Sequence, residues 1–365
     1  MDNMNNNINQ IDIDNSPSNE QGFEPQPPSF QIYKPKPNKF IEILIALSKC
    51  AGYVLIWLGV QVVLSLMLSV ILMIQSIGMT PDEIDALYNE AILKHSITLT
   101  VLTNLISLGI YYLIFRLSKK SFSKKIKTDL PDNKSYLPTI ALGFSAQFVT
   151  NLVLGLLMNV LKVFPQNWVD ELTQNNEIVD MANPVLSFFA VVILAPVFEE
   201  ILCRGLLLNT LRKTMPKWGA IVVSAVIFGI IHGNPIQFIY ATALGILLGW
   251  IYTKFDSILI PMLCHLVFNL VSQIASYFNP ENMVFTIIFG LITYASVPIF
   301  VLTMVYLNIG KFKKPVGEVS ENPQFVPYQY PTDTQFIKPE YNEGVLNRLT
   351  MDIEGKPSND DENKE

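Results

Sequence analysis

Eight apolar stretches run through the middle of the chain, near 52–74, 96–115, 138–161, 184–207, 218–233, 236–253, 257–277 and 284–308. Most are long enough to span about 30 Å of hydrocarbon as a helix. The stretch 218–233 is short, and 236–253 follows it almost at once, after His232, Gly233, Asn234 and Pro235. Residues 40–51 carry Glu42 and Lys49 and read as an interfacial lead-in to the first span. The pattern predicts an all-α polytopic membrane protein of about eight transmembrane helices over residues 40–310.

The flanks are different in kind. Residues 1–39 are rich in Asn, Gln and Pro, and residues 311–365 are polar and acidic. Neither can bury enough apolar surface to offset the entropy of ordering, so both are expected to be disordered tails. The N-terminus lacks a basic start followed by an apolar core, so no cleavable signal peptide is expected. Composition agrees with the spans: 50% of the 365 residues are hydrophobic and 15% are charged. That balance argues against a soluble globular enzyme. The net charge of −6 comes from the C-terminal tail, where eleven acids face four bases after residue 314. No basic stripe suggests nucleic acid. The three cysteines, Cys50, Cys203 and Cys264, lie in apolar runs and read as small hydrophobes.

Loop charge fixes an expected orientation. With eight spans the loops alternate sides, and one set holds seventeen Lys and Arg residues against two in the other. The second set carries Asp82, Glu83, Asp85, Glu90, Asp170, Glu171, Glu177 and Asp180 instead. Positively charged loops stay inside, so both termini are expected in the cytoplasm, and the Asn- and Lys-rich tails point to a bacterial coding sequence and so to a bacterial cell membrane.

Ionisable residues inside a span cost about 2.5–3.5 kcal/mol each on insertion scales and so need a reason. The fourth stretch holds Glu199, Glu200 and Arg204. Glu200 and Arg204 are four apart, share a helix face and can pair. Glu199 points about 100° away and has no partner in the motif, which suits a general base. Pro196 is expected to kink the span just before the acidic pair. His232 ends the fifth stretch, and His265 and Asn269 share a face of the seventh. Histidine or asparagine in a span ordinarily bonds to another helix, but four such sites on three spans point to a shared cavity. Glu199 and His265 each lie about 12–14 Å from the cytoplasmic end at 1.5 Å per residue. His232 lies deeper, and a tilted or displaced fifth span would bring it level. His95, at the outer end of the second span, reads as interfacial.

These residues stand in the order Glu199-Glu200-x-x-x-Arg204, Phe228-x-x-x-His232 and His265-x-x-x-Asn269. The set resembles the CPBP family of intramembrane peptidases, the CAAX proteases and bacteriocin-processing enzymes also called Abi proteins, over about residues 137–277. The resemblance implies an endopeptidase with an intramembrane active-site cavity, acting on a membrane-associated peptide or a prenylated protein. By analogy Glu199 and His232 activate water, and His265 with Asn269 stabilises the oxyanion. Glu200, Arg204 and Phe228 would brace the site. Family members are also described as metalloproteases, and Glu199, His232 and His265 could hold zinc with water in the fourth position. The glutamate mechanism without metal is the preferred expectation, since the chain lacks His-Glu-x-x-His. A non-catalytic immunity or interaction protein on the same fold and a proton-coupled transporter are the alternatives.

Overall fold

The computed structural model describes residues 38–119, 121–181, 183–277 and 282–312. Most of both expected tails lies outside these residues. Among the described residues the chain is helical, with no strand. The helices are α1 (Lys39–Gln75), α2 (Pro81–Leu117), short α3 (Phe122–Ile126), α4 (Asn133–Val160), α5 (Gln166–Met181), α6 (Pro184–Leu211), α7 (Lys217–Ile230), α8 (Pro235–Phe255), α9 (Leu259–Ser276) and α10 (Met283–Ile309). Seven of them, all but α3, α5 and α7, are long and apolar enough to cross a membrane. The protein is a polytopic all-α membrane protein.

Two expected boundaries move. Residues 40–51 are not a separate lead-in: α1 is one helix of 37 residues, about 56 Å long. Within this stretch Ala46 and Cys50 are buried, with the Cys50 thiol 3.8 Å from the Leu207 carbonyl oxygen. The fifth expected span is α7, whose 14 residues rise about 21 Å, short of a bilayer core.

The short helix is completed by its neighbour. Gly233, at φ 81°, makes the turn that L side chains disfavour. Asn234 Oδ1 then accepts the N–H groups of Ile236 and Gln237 at 2.9 and 3.2 Å, and Pro235 opens α8. The chain thus returns alongside α7 as an antiparallel hairpin. Small residues let the two backbones meet. Ala241, Gly245 and Gly249 form a stripe at intervals of four along α8. A Cβ on Gly245 would stand 3.0 Å from Ala225 Cα.

The basic loops gather at one end of the bundle. Asp256 pairs with Lys127 and, at 3.3 Å, with Arg212. Asn209 donates to the Lys125 carbonyl at 2.8 Å, Ser257 to the Asp129 carbonyl at 2.6 Å, and Lys254 to the Asn308 carbonyl at 2.9 Å. Beneath these contacts Leu202, Leu206, Leu207, Leu211, Tyr252, Phe255 and Ile258 form a plug, none more than 2% exposed.

Partial burial raises the Asp256 carboxyl, but its pairing with Lys127 and Arg212 outweighs this and leaves it below the ordinary 3.8. Its ion pairs therefore stabilise the fold above that value, and the contribution fades as pH falls through the folded-state value. Asp256→Asn is the clean test, because Asn tolerates the left-handed φ of 54° found there. Thermal melts should show the variant less stable than wild type at pH 7, by an amount that shrinks below about pH 4. A difference independent of pH would remove the ion pairs from the explanation.

Candidate active site

The acidic pair sits where α6 changes its winding. The helix is widened into π-helical turns at Phe189–Leu194 and Ile201–Leu208, on either side of an α-helical segment, Ala195–Glu200. Pro196 has no N–H to donate and would crowd the preceding turn of an unbroken α-helix. The first widened stretch ends two residues before it, so the expected disturbance takes the form of π turns. Glu199 and Glu200 follow directly.

Their surroundings differ. Glu200 is fully buried, and Arg204 Nη1 donates to its Oε1 at 2.8 Å, the pairing expected from their spacing. Arg204 Nη2 donates to the Gly245 carbonyl of α8 at 2.9 Å. The guanidinium also lies 5.0 Å from the centre of the Phe228 ring. Glu200 has a second partner that spacing did not reveal: His265 Nδ1 of α9, 3.0 Å from the same oxygen. The other ring nitrogen of His265 is 3.5 Å from Glu199 Oε2. Both nitrogens of one buried ring therefore lie near carboxylates.

His232 lies beyond the last turn of α7. Its Nδ1 is 2.7 Å from the Phe228 carbonyl oxygen. A carbonyl can only accept, so Nδ1 carries the hydrogen and Nε2 keeps its lone pair in the neutral ring. The Phe228 ring packs edge-on against both histidines, 4.8 Å from the centre of His232 and 5.8 Å from that of His265. It is the spacer that sets their separation. Among the described residues no hydrogen bond or ion pair joins Glu199 to His232. Asn269, one turn after His265, donates to the Val191 carbonyl of α6 at 2.8 Å.

A cavity of about 470 Å³ is lined by Glu199, Phe228, His232, His265 and Asn269 together. Glu200 and Arg204 lie behind its wall. The same cavity is bordered by Gln147 and Asn151 of α4, Gln237 and Tyr240 of α8, and Gln273 of α9. These polar residues were not singled out in the sequence. Gln147 and Asn151 had a readable signal, since they sit four apart in an apolar span and hydrogen-bond at 3.0 Å. Among the described residues no three His, Cys, Asp or Glu side chains converge in a way that would hold a metal ion. The three side chains suited to zinc by type line the cavity but do not form a ligand set.

Residues 181–271 match the family model described as "Type II CAAX prenyl endopeptidase Rce1-like". A Bacillus subtilis (strain 168) protein named "Putative membrane peptidase YdiL" is 31% identical over 77 residues, which is 21% of this chain and 32% of that protein. The chain thus matches about a third of the length of that curated relative. No solved structure matches. The matched segment runs from the start of α6 to the middle of α9 and contains every residue that carries the buried carboxylates, the histidines and their braces. Over that segment this chain resembles the Rce1-like type II CAAX prenyl endopeptidases.

Proposed function

We propose that this protein is an intramembrane endopeptidase that hydrolyses a peptide bond with a water molecule activated by Glu199 and His232. The observation that carries the reading is the convergence of Glu199, His232, His265 and Asn269 on one cavity among membrane-spanning helices. The carboxylate of Glu199 takes a proton from water as its oxygen attacks the substrate carbonyl carbon. The free Nε2 of His232 accepts the water's other hydrogen and orients it. Negative charge then develops on the carbonyl oxygen, where His265 Nε2–H and the second amide hydrogen of Asn269 are suited to donate. Glu199 returns its proton to the leaving nitrogen as the C–N bond breaks. Glu200 holds the His265 ring through Nδ1 and is itself held by Arg204. By the positive-inside rule the basic end of the bundle faces the cytoplasm.

In this mechanism the water is activated by side chains alone. Purified, active protein should contain well under one zinc per chain, and strong chelators should leave peptide cleavage mostly unchanged. Stoichiometric zinc, lost with activity on chelation and restored on adding it back, would replace this mechanism with a metal-bound water.

A further inference from the structure

The cavity has a direction. On α6 it is lined by Ala190, Val191, Ala195 and Glu199, and by nothing closer to the basic end. On α9 the lining runs from His265 to Ser276, again away from that end. On α8 it stops at Leu244, within the half that follows the hairpin turn. Exposure follows the same course. Ser272, Ser276 and Asn176 of α5 are exposed at the rim, whereas Phe228 and His265 at the floor are buried. Past the floor, the leucines that follow Glu200 on α6 and the Arg204 pair close the way to the basic end.

The lining also has a charge character. It contains no Lys or Arg, and Glu199 is its one carboxylate. Arg204 is buried and engaged with Glu200 and the Gly245 carbonyl. A peptide's free carboxylate drawn into this space would meet Glu199, and the ring that could offset it, His265, already faces Glu199 and Glu200, so the added charge would be buried at a cost. Amide and hydroxyl groups suit a neutral backbone instead, which presents alternating N–H and C=O groups.

We infer that the cavity admits an internal, uncharged stretch of polypeptide from the extracytoplasmic side, and not the free C-terminus of a cytoplasmic protein. The substrate class rests on the peptidase reading. The side of access rests on the cavity and the loop charges alone.

The two parts have separate tests. Cys50, Cys203 and Cys264 are all buried, so introduced cysteines can be read against a low background. Ser272→Cys and Gln237→Cys report on the cavity, and Lys213→Cys, at an exposed position, reports on the basic end. Intact cells making the full chain are treated with a charged, membrane-impermeant methanethiosulfonate reagent. Both cavity cysteines should react in intact cells, and Lys213→Cys only after permeabilisation. Reaction of the cavity cysteines only when Lys213→Cys also reacts would overturn the side of access.

The second test gives the purified wild-type protein neutral fluorogenic peptide libraries in two forms. In one, the chain continues past the cleaved bond to an amide cap. In the other, it ends three residues later in a free carboxylate. The capped form should be cleaved with kcat/KM at least about tenfold higher. Equal rates, or a preference for the free carboxylate, would overturn the substrate class. Cleavage of neither form would defeat the peptidase reading and the substrate class with it, while the labelling result would still decide the side.

Discussion

Glu199→Gln is expected to abolish peptide cleavage while leaving the yield of folded protein close to wild type. Glutamine keeps the volume and loses the base, and Glu199 is partly open to the cavity, at 19% exposure, so folding does not depend on its charge. The neighbouring carboxylate should behave in the opposite way. Glu200 and Arg204 are 0% and 1% exposed; removing Glu200 leaves the Arg204 charge buried and uncompensated, and removing Arg204 leaves the buried Glu200 with only His265 as a partner. Arg204→Leu is the more severe change, because Glu200 Oε2 already has no partner among the described residues. A loss of about 3–5 kcal/mol is expected, visible as a collapse in the monodisperse fraction after detergent extraction. Equal loss of folded protein in Glu199→Gln and Arg204→Leu would show that the two carboxylates have been given each other's roles.

The second large effect is expected at a glycine of α4. A Cβ on Gly143 of α4 would stand 2.4 Å from the backbone carbonyl oxygen of Cys264 and 3.1 Å from Val267 Cβ. Backbone cannot swing aside as a flexible side chain can, so Gly143→Ala must push α9 away at the residue next to His265. A displacement of about 1 Å at a catalytic group costs on the order of a hundredfold in rate. The variant should fold, because the contact lies between two helices that can separate slightly, and its kcat should fall by about that factor. Wild-type kcat in Gly143→Ala would mean that the position of α9 does not set the geometry at His265.

Much of this arrangement was legible in the chain, for definite reasons. Ionisable groups in apolar spans are costly, so Glu199, Glu200, Arg204, His232 and His265 stood out, and the spacing of four announced the Glu200–Arg204 pair. What stayed hidden depends on contacts between helices distant in sequence. The bond from His265 to Glu200 joins residues 65 apart, and no local periodicity encodes it. The shortness of α7 followed from Gly233 and Asn234, which end one helix and cap the next. They lie at the break between the fifth and sixth apolar stretches, where the shortness of the fifth was already legible. The first span begins earlier than expected because Lys49 sits exposed and Glu42 is only half-buried at the helix start, while Ala46 and Cys50 turn inward. Gly143 carried no signal at all, since close helix approach is visible only once the partner is known.

The pairing of Glu200 with Arg204 also bears on how the protein is made. Both residues belong to α6, which leaves the ribosome before α8 and α9 have been synthesised. A lone carboxylate and a lone guanidinium would each oppose passage of the helix from the translocon into lipid by about 2.5–3.5 kcal/mol. Joined across one turn, they enter as a neutral dipole that needs no help from segments not yet made. The Gly245 carbonyl and His265 arrive later and bind groups that are already buried. Assembly of the site is thus ordered in time by chain direction: the ion pair forms during insertion, and the histidine docks onto it when the bundle closes.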